Sequence, residues 1–418
     1  MMKTLLPVIF ACTLYADVEV SGHLDMDVQQ YLSAPSQKNQ NSFTAKETLE
    51  LKYSEDAGTL YTKLYAQQDS SDLTSSDKKN ERTFGRVDEL YGQYDFDDDS
   101  LQFGKSIKFW GALELRNIVD GFNPHDFRTD MLDVDKLGVW NLSYSHFTEN
   151  GELSLIVKLH EQDQEMAAAP YVYYFFPSFV SYNSKLNTQD ASTRPSIYLK
   201  YSASTDTEYP LDYSFIYENG YDSQRYYTAD KPQNLSVKSP TYGYPTEFSA
   251  NAYIVNKIMT YETLVVGATL IKLEALYAKV DEDKNVGDYS HIGLGVEHTI
   301  ENIYSSTALG ILAEYYRYDT YESDKYSDLE LFETMQNDIF VGLRYSLNNA
   351  EDSSFVGGVI ADFEYNEQVY YLDFESRVAD SYKLNLDYYY VEPSTTKATA
   401  YAFLGRHQRV AVNIAYYF

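Results

Sequence analysis

The chain has 418 residues, with 63 Asp plus Glu against 33 Lys plus Arg, and its formal charge of −30 excludes the basic surface that nucleic acid demands. A single cysteine, Cys12, excludes a disulfide framework and a cysteine-based zinc site. An apolar content of 44% excludes disorder, and the lack of an uninterrupted apolar run of about 18 residues excludes membrane-spanning helices. An excess of 43 tyrosines and 21 phenylalanines stands outside these exclusions.

Residues 1–16, MMKTLLPVIFACTLYA, carry one cation at Lys3, an apolar run from Leu5 to Leu14 and a small residue before Asp17. This is the layout of a cleaved secretory signal, which predicts export and a single domain over residues 17–418. A rival reading acylates Cys12 through Ile9-Phe10-Ala11-Cys12, although Phe10 is bulky for a lipobox.

From there the dominant pattern has period two, in segments of about ten residues separated by polar turns, the signature of transmembrane β-strands. Val18, Val20, Leu24, Met26 and Val28 oppose Glu19, Ser21, His23, Asp25 and Asp27. Leu49, Leu51 and Tyr53 oppose Lys46, Thr48, Glu50 and Lys52; Ile339, Val341, Leu343 and Tyr345 oppose Asp338 and Arg344. Leu384, Leu386, Tyr388 and Tyr390 oppose Lys383, Asn385 and Asp387. Because an unpaired buried charge is very costly, the charged face must see water while the apolar face sees lipid. The expectation is an all-β fold, a transmembrane antiparallel barrel of about 18 strands with 16 as the alternative, wide enough for an aqueous lumen. Turns near 54–58, 95–100, 149–151, 204–207, 348–353 and 379–381 are short. Longer connections, near 34–42, 69–82, 110–135, 161–194, 222–243, 281–288, 319–334 and 393–404, alternate with them and read as extracellular. Residues 248–280 fit one long strand or two short ones. Tyrosine runs such as Tyr315-Tyr316, Tyr370-Tyr371, Tyr388-Tyr389-Tyr390 and Tyr416-Tyr417 are expected to form girdles at the two lipid interfaces.

The last strand, RVAVNIAYYF, places Val410, Val412, Ile414, Tyr416 and Phe418 on one face. It resembles the C-terminal signal of bacterial outer-membrane barrels, and the resemblance implies recognition by the barrel-assembly machinery and residence in a Gram-negative outer membrane, against lipid and lipopolysaccharide.

Seven scattered histidines match no metal motif, no catalytic elbow or P-loop occurs, and the acidic runs Asp95–Asp99 and Asp281–Asp283 lack calcium-loop spacing. No enzyme, metal or cofactor is therefore expected. The lumen-facing charges are expected to include Asp25, Asp27, Lys46, Glu50, Lys63, Glu89, Asp212, Glu297, Arg344, Asp373, Lys383, Asp387 and Arg409, together with Lys158, Lys200, Glu218 and Glu375. Acids exceed bases only slightly in this set, which predicts a weak cation preference. The segment Gly104–Asp130 gathers Trp110, Arg116, Asp120, Asp126 and Arg128 in one long loop, the candidate pore constriction, where charges of both signs could create a transverse field. A second loop, 161–194, carries Tyr171, Tyr173, Tyr174, Phe175, Phe176 and Phe179 and is expected to fold inward, because exposed it would be a large apolar patch.

The stretch Gly104-Lys105…Trp110-Gly111 followed by Asp120-Gly121-Phe122-Asn123-Pro124-His125-Asp126 resembles a segment of poorly characterised Gram-negative porin-like barrels near the alginate-export porins. The resemblance covers about 25 residues. It lacks the dense arginine set of an alginate conduit, so no substrate is carried over. The expected function is passive diffusion of small hydrophilic solutes or ions through a channel narrowed by the two loops. A substrate-specific uptake or export channel and a barrel-anchored adhesin or receptor are the alternatives. A homotrimer is a common assembly for such barrels, without an interface signal in this sequence.

Overall fold

The period-two segments pair with their neighbours in sequence. In the computed structural model, which describes residues 18–34, 41–74, 81–130, 134–169, 171–174, 176, 180–229, 247–321, 329–330, 333–397 and 399–418, they close into one 18-stranded antiparallel sheet. The strands are Val18–Ser33, Ser42–Glu55, Gly58–Asp69, Phe84–Phe96, Asp99–Ser106, Val139–Thr148, Gly151–Lys158, Ser196–Ser204, Leu211–Tyr221, Ile254–Val266, Thr269–Val280, Tyr289–Ile300, Ala308–Thr320, Asn337–Ser346, Ser354–Asp362, Gln368–Ala379, Tyr382–Glu392 and His407–Tyr417. Each pairs with the next. The last pairs with the first, with Met26 opposite Ile414 and Val28 opposite Val412, so the barrel has no free edge. The expected signal segment, residues 1–16, lies outside the described residues.

Alternation then decides what each face meets. Ile292, Leu294 and Val296, for example, stand exposed on the outer wall, whereas His291 and Glu297, which flank this run, are buried inside. The same holds for the last strand, whose Val410, Ile414, Tyr416 and Phe418 point outward. Short hairpins join the strands at one end. Asp56, Asp97 and Gly267 adopt positive φ there, a conformation that Asp and Gly tolerate, and the long connections gather at the other end.

The ambiguous stretch 248–280 is two barrel strands joined at Gly267. Its first residues belong instead to Glu247–Ala252, a strand of a separate three-stranded sheet with Ser181–Thr188 and Tyr226–Ala229. Connections at 301–307 and 363–367 also went unrecognised, the latter because FEYNE is too short to interrupt the alternation. A β-bulge adds a further departure. Lys63 faces Glu89 but Leu64 faces Val87, which leaves Asp88 as an extra residue buried beside Arg86.

The tyrosines correct the girdle expectation. Tyr94, Tyr144, Tyr277, Tyr315, Tyr370, Tyr416 and Tyr417 are on the exposed surface, but Tyr31, Tyr198, Tyr221, Tyr253, Tyr289, Tyr316, Tyr318 and Tyr389 are buried within the barrel. Of the adjacent pairs, Tyr315 and Tyr390 are not buried while Tyr316 and Tyr389 are, as alternation requires. Much of the aromatic excess is interior packing.

Candidate functional site: a loop folded into the lumen

The strand Asp99–Ser106 ends after eight residues, and the chain then turns inward. Ile107 N–H donates to Glu89 (3.0 Å), and the Lys108 ammonium donates to Gln102 (2.6 Å); both acceptors lie on the inner wall. Asn123 closes the base of the loop, accepting from Lys108 N–H (2.8 Å) and donating to the carbonyls of Ser106 (3.1 Å) and Leu137 (2.9 Å). Trp110 is buried, its ring 5.6 Å from those of both Phe122 and Tyr198.

Beyond Trp110 the loop crosses to the wall formed by Thr269–Val280 and Ala308–Thr320. There two inward carboxylates receive its backbone. Glu274 accepts N–H bonds from Ala112 (2.6 Å), Leu113 (2.9 Å) and Val119 (3.2 Å), and Glu314 accepts from Glu114 (2.7 Å) and Leu115 (3.0 Å). Bonds of this charge-assisted kind contribute about 1.5–3 kcal/mol each and satisfy N–H groups that a loop with no internal ladder would leave unpaired. Arg116 N–H adds a bond to the Tyr316 hydroxyl (3.2 Å). The contact is also steric: a Cβ placed on Gly293 would stand 2.4 Å from one Leu113 methyl, and one on Gly295 2.8 Å from the other. Two glycines on one inner face thus make the notch that receives Leu113.

The five constriction candidates are distributed unequally around this loop. Arg116 keeps a water-facing side chain, 44% exposed, while pairing with Glu333 (3.0 Å). Asp120 pairs with Lys136. Asp126 is fully buried between Arg86 and Arg128 (2.8 Å to the latter), and Arg128 lies over the Phe84 ring (3.8 Å). Trp110 is buried, as above. These four brace the loop, and Arg116 is the one of the five that meets solvent to this extent.

The expected lumen charges all occupy inward positions, mostly in pairs across neighbouring strands. Lys46 lies 3.7 Å from Asp27, Lys63 3.9 Å from Glu50, Arg344 2.6 Å from Glu297, Lys383 2.7 Å from Glu375 and Arg409 2.5 Å from Asp387. Asp25 and Asp373 continue the same faces, and Asp212 lies exposed near the short-turn end, bonded by Ser204 (2.5 Å). Glu114 of the loop joins Arg344 and Lys272. The side chains of Glu50, Lys63, Glu114, Arg344, Glu375 and Lys383 are each 30–36% exposed although they point into a closed barrel. Ions are stable there because water reaches them.

Sequence reading missed Glu274, Glu314, Lys272 and Lys257. Glu314 sits between inward Leu312 and Tyr316, which are apolar because the interior is packed at that level, so the polar face lost its contrast. Glu274 fell in the stretch read as one strand or two.

The second loop also folds inward, as expected. The Tyr171 hydroxyl bonds to Ser42 (3.0 Å) and that of Tyr173 to Gln29 (2.8 Å) and Arg409 (2.6 Å), with the Arg82 guanidinium 4.4 Å from the Tyr171 ring centre. Phe176 packs against Tyr227 and Phe248 beneath the small sheet, whereas Phe175 and Phe179 lie outside the described residues.

No family model matches this chain, and no curated protein does. Solved structures of similar fold include Acinetobacter baumannii OccAB3, with a TM-score of 0.56 at 10% identity over 97% of this chain and 100% of that one. Pseudomonas aeruginosa OccK8 (OprE) has a TM-score of 0.55 at 8% identity, over 96% and 98% of the two chains. The outer membrane protein opdK of the same organism has 0.54 at 9%, over 97% and 100%. At such identities the likeness is one of fold, and it extends over whole chains.

Proposed function

We propose that this chain is an outer-membrane porin through which small hydrophilic solutes or ions diffuse, with the loops at 107–138 and 159–195 narrowing the passage from the long-loop side. The observation that carries the reading is the set of ion-paired side chains about one-third exposed inside a closed barrel. A lumen packed shut would have buried or excluded them, and a barrel serving only as an anchor would have no need of them. The likeness of fold to outer-membrane proteins of two Gram-negative bacteria supports the same location. A weak cation preference belongs to this reading, since the additional inward acids Asp88, Glu274, Glu314 and Asp338 exceed the additional inward bases Arg86, Lys257 and Lys272.

Purified protein in a planar bilayer tests it. Discrete current steps are expected, with a reversal potential in a KCl gradient displaced modestly towards that of K⁺. Bilayers that take up folded protein without steps would overturn the reading. Arg116→Ala is expected to increase the displacement by removing a solvent-facing cation.

A further inference from the structure

Among the described residues of the folded-in loop, one large apolar side chain is left in water. Lys108 is anchored to Gln102 and Asn123, and Trp110, Leu113, Val119 and Phe122 are all buried, yet Phe109 is 77% exposed. It follows Ile107 and Lys108, which bond to the inner-wall residues Glu89 and Gln102 at the point where the chain enters the lumen. One face of its ring is covered by the Lys136 ammonium, 3.9 Å from the ring centre, and that ammonium is fixed by Asp120 and by the Lys108 carbonyl (2.9 Å). The ring is therefore held on one side and free on the other, with charged and hydrogen-bonding groups at its margin.

We infer that Phe109 is a stacking platform for solutes that present a flat ring face, either an aromatic ring or the C–H face of a pyranose, as they pass through the lumen. An aromatic face takes an offset-stacked ring or a sugar face equally through apolar contact, and the neighbouring polar groups orient the rest of the solute. A cation on the covered face keeps the ring from collapsing onto the loop, where Trp110 and Phe122 already fill the available space. The inference rests on the porin reading and adds a solute class to it.

Single-channel recordings decide it. Methyl glucopyranoside and N-acetyl-phenylalaninamide are expected to interrupt the wild-type current for longer than sorbitol and N-acetyl-leucinamide, which are similar in size but lack the ring. Phe109→Ala should shorten the ring-dependent interruptions by about fivefold, the effect of losing one aromatic contact. Phe109→Tyr should keep them, and Phe109→Leu, which preserves most of the volume and covers the case of an alanine variant that does not fold, should lose them. Interruption by only one of the two ring solutes assigns the platform to that class. Equal interruptions by ring and open-chain solutes, or ring-dependent ones that survive both Phe109→Ala and Phe109→Leu, overturn the inference. Absence of wild-type current steps instead overturns the channel reading beneath it.

Discussion

At the scale of single residues, charge inside the barrel is governed by how much water each group retains. Lys108 illustrates this. Burial pushes its ammonium down to about 8, against the pull of Glu89 and Glu152, with Lys200 adding to the depression. Below that value the group is charged and above it neutral, so the lumen loses a positive charge between pH 7 and 9. The reversal potential in a KCl gradient is expected to move towards that of K⁺ over this interval. Lys108→Gln should show the displaced value already at pH 7 and no step centred near 8; a wild type without pH dependence would refute the assignment. Glu274 is a second case. Glu274→Gln removes the charge and leaves one acceptor oxygen for three N–H groups, at an expected cost of about 2–3 kcal/mol. Open-channel noise and protease cleavage within 107–120 should both rise, and an unchanged variant would show that the loop is held without the Glu274 charge. Glu274 was not legible beforehand, because a carboxylate that caps a distant loop looks in sequence like any other polar strand residue. Arg116 and Asp126 were legible as a charged loop cluster, but not which of them is buried.

At the scale of elements, the folded-in loop depends on complementarity with the strand Tyr289–Ile300. The pattern His291-Ile292-Gly293-Leu294-Gly295 reads as a strand weakened by two glycines, and in the fold those glycines are the space that Leu113 occupies. Gly293→Val is expected to leave the barrel intact, since valine suits a strand, while displacing Leu113 and with it the backbone bonds to Glu274. Conductance should change by a clear fraction with little effect on heat-modifiable migration in gels. Normal conductance would mean that the loop shifts without cost. Strand length and most turn positions were readable, since hairpins at Asp56 and Asp97 follow from local backbone preferences, whereas the one at Gly267 was left open between one strand and two. The bulge at Asp88 was not, because a single extra residue alters the face of a side chain without altering composition.

At the scale of the whole molecule, the two faces obey different solvents. Leu294 stands on the outer wall near the middle of its strand, 51% exposed, with Ile292 and Val296 flanking it. Leu294→Arg is expected to destabilise the folded barrel in bilayers by about 2–4 kcal/mol, as charges on a lipid face do near the midplane. Lys63→Gln on the inner wall should leave stability nearly unchanged and shift selectivity towards cations. Urea titration in lipid vesicles measures both variants. Equal effects on stability would contradict the assignment of faces.

What the sequence by itself determined is the class of fold, the near-complete alternation of long and short connections and the inward or outward direction of most charges. These follow from period two and from the cost of placing a charge in lipid, both local properties. Only the tertiary structure decided that many tyrosines fill the interior, that Glu274 and Glu314 hold a loop from some 160–200 residues away, and that Phe109 alone among the large apolar side chains from Phe109 to Phe122 stays mostly exposed. Those outcomes depend on which segments meet across the lumen, and alternation along one strand carries no information about the strand it faces.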